Sequence, residues 1–127
     1  MLVTALSDAQ PNGRVTVQIS CGELMGTWRG DDDLRVGDRV EVEVDAERSY
    51  AAREFEPTGQ QVDRCAVLDG ATLVQGRIQA CGVEGLVVVQ VAGSVVAVEV
   101  HGELDAAMMG AHGRVVLDNV EFYPTNT

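Results

Sequence analysis

The chain has 127 residues, with 20 acidic residues against 9 basic ones, all arginine, and a formal net charge of -11. Hydrophobic residues make up 46%, and 14 glycines with 3 prolines give the balance of a turn-rich globular chain. These figures exclude a transmembrane protein, a collagen, a coiled coil and a polybasic nucleic-acid binder, and the missing lysine removes Schiff-base chemistry.

From the amino end, Met1 to Gln10 carries no positive region and no apolar run of secretory length. The longest apolar stretch, Leu86 to Val100, is 15 residues long and is interrupted by Gln90, Gly93, Ser94 and Glu99, too short to span a bilayer. Cys21, Cys65 and Cys81 are odd in number and lack CxxC spacing. A disulfide framework or zinc finger is therefore not expected, and a reduced, cytoplasmic chain is.

The hydrophobic period is two, which specifies strands. Val15, Val17 and Ile19 share one face against Thr16, Gln18 and Ser20, and Val40, Val42 and Val44 alternate with Arg39, Glu41 and Glu43. The pattern predicts strands near Leu2–Ser7, Arg14–Ser20, Glu23–Trp28, Arg39–Asp45 and Tyr50–Glu56. A second set falls near Leu73–Gln79, Leu86–Ala92, Ser94–Val100, Arg114–Asp118 and Asn119–Tyr123. Small residues at Ser20-Cys21-Gly22 and Ala92-Gly93-Ser94 read as hairpin turns. Glu103 to His112, with its acidic start and Leu104/Met108 pair, is the one stretch expected to form a short helix.

The two sets align. Gly13 to Gly30 lies over Gly85 to Gly102 without a gap, matching Val15 with Val87, Gln18 with Gln90 and Leu24 with Val96. Arg39-Val40 corresponds to Arg114-Val115, and both sets close on a Phe-x-Pro signature, Phe55-Glu56-Pro57 and Phe122-Tyr123-Pro124. An internal duplication is expected, with units at 1–57 and 71–127 and a linker at 58–70. A unit this small buries only about 60% of its unfolded surface, so the two are expected to pack together.

The expected fold class is mainly all-β. Three strands, a helix or loop, and two more strands is the order of a five-stranded Greek-key barrel. With Leu34-x-Val36-Gly37-Asp38-x-Val40-x-Val42-x-Val44 leading into the fourth strand, each unit resembles the OB-fold group, including its S1-like members. The resemblance implies an oligonucleotide-binding face on strands two and three. Here that face carries Thr16, Gln18, Ser20, Glu23, Met25 and Thr27, with no aromatic and no arginine. Trp28 falls on the core side. A nucleic-acid role is thereby disfavoured, as the charge also argues.

No catalytic residue, cofactor or metal set is expected. His101 and His112 stand alone near strand edges, and no motif surrounds the cysteines that would make a Cys–His nucleophile. Asp31-Asp32-Asp33 with Asp38 lacks the spacing of a calcium loop. The charge is uneven: residues 1–57 hold 12 acids and 6 arginines, residues 71–127 hold 6 acids and 2 arginines. The first unit therefore presents the polar surface. The apolar hairpin at 86–100 is a contact for the other unit or for a second copy in a homo-oligomer.

These features point to a non-catalytic acidic interaction protein that binds a basic protein partner, of immunity, inhibitor or adaptor type, with no membrane role. The expected contact residues are Asp31, Asp32, Asp33, Asp38, Glu41 and Glu43, with Met25 and Tyr50 as apolar anchors. The alternatives are a small-ligand-binding or oligomer-structural barrel, a nucleic-acid binder of the OB type, and an enzyme using Cys and His.

Overall fold

A computed structural model describes residues 1–125, and among them the chain is all-β. Twelve strands form one connected sheet: β1 (Leu2–Ala5), β2 (Arg14–Ile19), β3 (Gly22–Trp28), β4 (Arg39–Ala46), β5 (Tyr50–Ala51), β6 (Glu56–Pro57), β7 (Arg64–Leu68), β8 (Ala71–Ala80), β9 (Leu86–Val91), β10 (Ser94–His101), β11 (His112–Leu117) and β12 (Val120–Pro124). The period-two stretches form strands because each alternate side chain finds the core, as in β2, where Val15, Val17 and Ile19 are buried.

Two expectations need correction. The stretch 103–112 does not form a helix beyond a single 3-10 turn at Ala106–Met108; Asp105 caps it and Met108 plugs the core. Gly102 (φ 86°) precedes this stretch and Gly110 (φ 84°) interrupts it, which leaves too few residues between them for a cooperative helix. The stretch 58–70 is not only a linker, because it contains β7. Leu68 and Ala71 pair across a turn in which Asp69 (φ 47°) and Gly70 (φ 80°) are both left-handed, the conformation that Asp-Gly favours in two-residue hairpins. Ala92 (φ 51°) and Gly93 (φ 77°) make the same kind of turn between β9 and β10.

Eight strands close a circuit, β1–β2–β3–β7–β8–β9–β10–β4 and back to β1. Closure removes the free edges that an open sheet of this size would expose. β12 crosses the circuit, parallel to β3 and antiparallel to β4. It lies in the first half of the fold although it ends the described chain. The reverse holds for the middle of the chain: β5 runs parallel to β10, and β6 pairs with β11. Each half thus receives its last strand from the other half.

Two of the three matched pairings of the two halves, second with third strand and first with fourth, have the same register. Val15↔Gly26 answers Val87↔Val98, and Thr4↔Arg39 answers Gln75↔Arg114. The first-with-second pairing is shifted by two residues, Thr4↔Gln18 against Arg77↔Gln90. The Phe-x-Pro signatures do not match in space. Phe122 pairs with Trp28 on β3, whereas the residue facing the corresponding Val100 on β10 is Tyr50. A 3-10 turn at Ala52–Glu54 shifts Phe55 beyond that position.

The buried side chains form one continuous cluster that runs from Val3 and Val15 through Tyr50 and Ile78 to Phe122. The outer side of the β9–β10 hairpin is only partly covered: Val88 and Ala97 are half-buried, and Val95 is 46% exposed.

Candidate functional site

The alternation of β4 sends Val42 and Val44 into the core and leaves Arg39, Glu41, Glu43 and Asp45 outside. On β12, Val120 and Phe122 are buried, so Glu121 and Tyr123 face outward. Antiparallel pairing sets Tyr123 directly beside Glu43, and Glu121 beside Asp45. Leu2 of β1 pairs with Glu41 and is 45% exposed. The result is a sheet face with four carboxylates around one exposed aromatic ring.

The electrostatics of this face are uneven. Glu121 is neutralised by Arg29, whose Nε and Nη2 lie 2.6 and 2.5 Å from the same Oε2, while Arg29 Nη1 donates to Asn12 Oδ1. Glu41 lies 3.3 Å from the Met1 amine. Glu43 and Asp45 have no salt-bridge partner among the described residues. Burial, then the neighbouring Glu43 and Glu121, pushes the Asp45 carboxyl above the usual carboxylate range. The Tyr123 hydroxyl is likewise pushed up, by desolvation first and then by Glu121.

β10 lies parallel to β4 with Ala97 beside Asp45. A groove of about 430 Å³ runs along this seam, with Glu43 and Asp45 on one wall and Ser94, Val95 and Ala97 on the other. An acidic wall facing an apolar one accommodates a cationic side chain on an aliphatic stem. No family model, curated protein or solved structure matches this chain.

The other expected contact residues lie elsewhere. Asp31, Asp32 and Asp33 are exposed in the loop after β3, where the Asp32 carbonyl accepts from Trp28 Nε1 at 2.7 Å. Trp28 itself is buried, as its alternation requires. Asp38 closes its own turn by accepting from the Arg35 N–H at 2.9 Å. It stands at the start of β4, ~20 Å along an extended strand from Asp45. Met25 is half-buried, with its backbone bonded to the Thr72 hydroxyl of β8. Tyr50 is corrected outright: at 0% exposure it is a core residue and offers no surface anchor.

The structure thus gathers Glu41 and Glu43 and adds Asp45, Glu121 and Tyr123. The alternation of Glu121-Phe122-Tyr123 marks the outward pair in sequence. Only the pairing of β12 with β4 shows which acids they join.

Two polar pairs involve the histidines. Ser49 Oγ lies 2.9 Å from His101 Nδ1, both at the surface, and no hydrogen bond to a carboxylate orients this ring among the described residues. His112 Nε2 lies 3.1 Å from Asp63 Oδ1, whose other oxygen accepts from the Ala92 N–H, so the carboxylate ties β11 to the β9–β10 turn. Among the described residues no group of three or more His, Cys, Asp or Glu side chains is disposed to hold a metal.

Proposed function

We propose that this is a non-catalytic interaction protein that takes a basic protein partner on the outer face of β4 and β12. The observation that carries the reading is the exposed Tyr123 ring set among Glu43, Asp45 and Glu121, beside a groove with one acidic and one apolar wall. The net charge of -11 steers a cationic partner toward the molecule. Tyr123 then supplies rigid apolar contact area, and the uncompensated Glu43 and Asp45 receive the partner's arginine or lysine.

The scaffold reading belongs with it. The two halves are OB-like five-stranded barrels, related by duplication, that have exchanged their fifth strands. Support comes from the shared register of the second–third and first–fourth strand pairings and from the parallel seats of β12 on β3 and of β5 on β10. Exchange binds the halves into one unit and leaves the β4–β12 seam rigid, which suits a preorganised binding face.

Capture from host lysate, compared between the wild-type chain and a Glu43→Gln/Asp45→Asn/Tyr123→Ala variant at low and high salt, tests this. Basic proteins retained by the wild type at low salt and lost from the variant are the expected result. Retention of the same proteins by both chains rules the face out. A second reading, a small-ligand barrel, is favoured by a cleft of about 550 Å³ lined by Thr4, Gln18, Arg39 and Ser94. Thermal stabilisation by a metabolite panel, abolished by Arg39→Ala, would select it instead.

A further inference from the structure

The β2–β3 turn and the start of β7 meet at one point. Gly22 is in register with Cys65, and the Cys65 N–H donates to the Cys21 carbonyl at 3.0 Å. The approach requires a glycine at 22, where an added Cβ would fall 1.7 Å from the Cys65 carbonyl oxygen. Cys21 and Cys65 are therefore backbone neighbours across a strand contact, 44 positions apart in sequence. Their thiols are close enough for each to alter the other's proton affinity. Cys65 is 3% exposed and Cys21 half-buried, while Cys81 lies at the surface.

We propose that Cys21 and Cys65 form an oxidation site, a dithiol that closes to a disulfide and staples the first hairpin to β7. With hydrogen peroxide as oxidant, the Cys21 thiol gives up its proton, the thiolate attacks one peroxide oxygen, the O–O bond breaks, and the departing hydroxide takes up that proton. This gives a Cys21 sulfenic acid and one water. The Cys65 sulfur then attacks the Cys21 sulfur; an S–S bond forms, the S–O bond breaks, and the departing hydroxide takes the Cys65 proton as a second water. Two thiols lose two protons and two electrons, and the peroxide is reduced to two waters.

Access sets the order, because Cys21 is the less buried of the pair. Burial holds both thiols above their ordinary range, with Asp63 adding to the effect at each. The reactive thiolate is therefore scarce at neutral pH and the reaction quickens as pH rises.

The experiment uses the full chain carrying Cys81→Ser, treated with hydrogen peroxide at neutral and alkaline pH and read by intact mass and non-reducing peptide mapping. The expected product is lighter by about 2 Da, has its Cys21 and Cys65 peptides joined, and forms faster at alkaline pH. A thermal midpoint that rises on oxidation and falls back on reduction is expected for the staple. Two unreacted thiols, a Cys21 sulfinic acid without the cross-link, or a cross-link between molecules overturns the proposal. A second variant, Cys21→Ser/Cys81→Ser, should leave Cys65 unreacted in the native protein. Oxidation of Cys65 there at the rate seen with Cys21 present would show that the pair is not needed.

Discussion

The Tyr50 hydroxyl accepts a hydrogen bond at 2.8 Å from the backbone N–H of Asp118. Tyr50 opens β5 and Asp118 precedes β12, so the bond joins the two points where the chain passes from one half to the other. The Arg48 guanidinium lies 3.7 Å from the centre of the Tyr50 ring, and it also reaches Asp118 Oδ2 at 2.8 Å. Tyr50→Phe removes only the hydroxyl and should cost about 1–2 kcal/mol. Tyr50→Ala also empties a fully buried ring site and should cost about 3–5 kcal/mol. Urea unfolding of the two variants separates these contributions; equal losses would mean that the ring packing contributes little.

At Gly26, β3 passes so close to β12 that an added Cβ would lie 2.2 Å from the Val120 carbonyl oxygen and 2.7 Å from a Val120 methyl. Backbone cannot yield there without breaking the parallel β3–β12 ladder. Gly26→Ala should therefore destabilise the fold by about 1–3 kcal/mol or more. Gly59→Ala, where nothing lies within 4 Å, serves as the control and should be close to neutral. Thermal unfolding of both compares them directly.

Asp45 gives a pH dependence. Its carboxyl is raised by burial first and then by Glu43 and Glu121, so the folded state binds this proton more tightly than the unfolded chain does. The contribution is then unfavourable above the raised value. It fades as pH falls through that value and is gone below the unfolded value of about 3.9. Asp45→Asn should accordingly stabilise the protein at neutral pH, with an advantage that shrinks on acidification. A constant advantage across the acid range would show that charge is not the cause. The same substitution should weaken capture of the basic partner, a trade of stability for function.

The exchanged strand carries a prediction of its own. A chain ending at Asp118 lacks β12, which covers both the β3 edge and the β4 edge and supplies the fully buried Val120 and Phe122. It should fail to fold cooperatively even though its first four strands are intact, because the β3 and β4 edges that β12 covers are left bare. Loss of amide dispersion in a proton–nitrogen correlation spectrum is the expected outcome. Native dispersion for residues 1–46 would show that the first half closes on itself.

The acidic residues divide in the same way. Asp31 to Asp33 surround the carbonyl that holds Trp28, whereas Glu43 and Asp45 have no salt-bridge partner among the described residues. Replacing Asp31, Asp32 and Asp33 with Asn should slow partner association modestly through the long-range field. Glu43→Gln with Asp45→Asn should also speed dissociation, because it removes the contacts themselves. Surface-based kinetics at two ionic strengths distinguish the two sets.

Local order was legible in the residues. Alternation in Arg14–Ile19, Arg39–Ala46 and Leu86–Val91 specifies strands and their inward faces, since the period of a strand is two wherever one side meets a core. The turn at Ala92-Gly93 was equally plain. Asp69-Gly70 carries the same hairpin signal and marks β7, but the polar run before Arg64 masks it. What alternation leaves open is the partner of each strand, because an edge pairs with whichever backbone the whole fold brings to it. A two-residue link at Asp118-Asn119 would locally specify a hairpin. Instead the buried Val120 and Phe122 seat β12 between β3 and β4, while β11 pairs with β8 and β6. That long-range choice buries Tyr50, which the sequence alone leaves as a surface candidate, and brings Tyr123 to Glu43. The amino-acid sequence by itself determined strands, inward faces and charge. Tertiary structure decided which strands complete each half and which acids share a face, because those depend on contacts between residues distant along the chain.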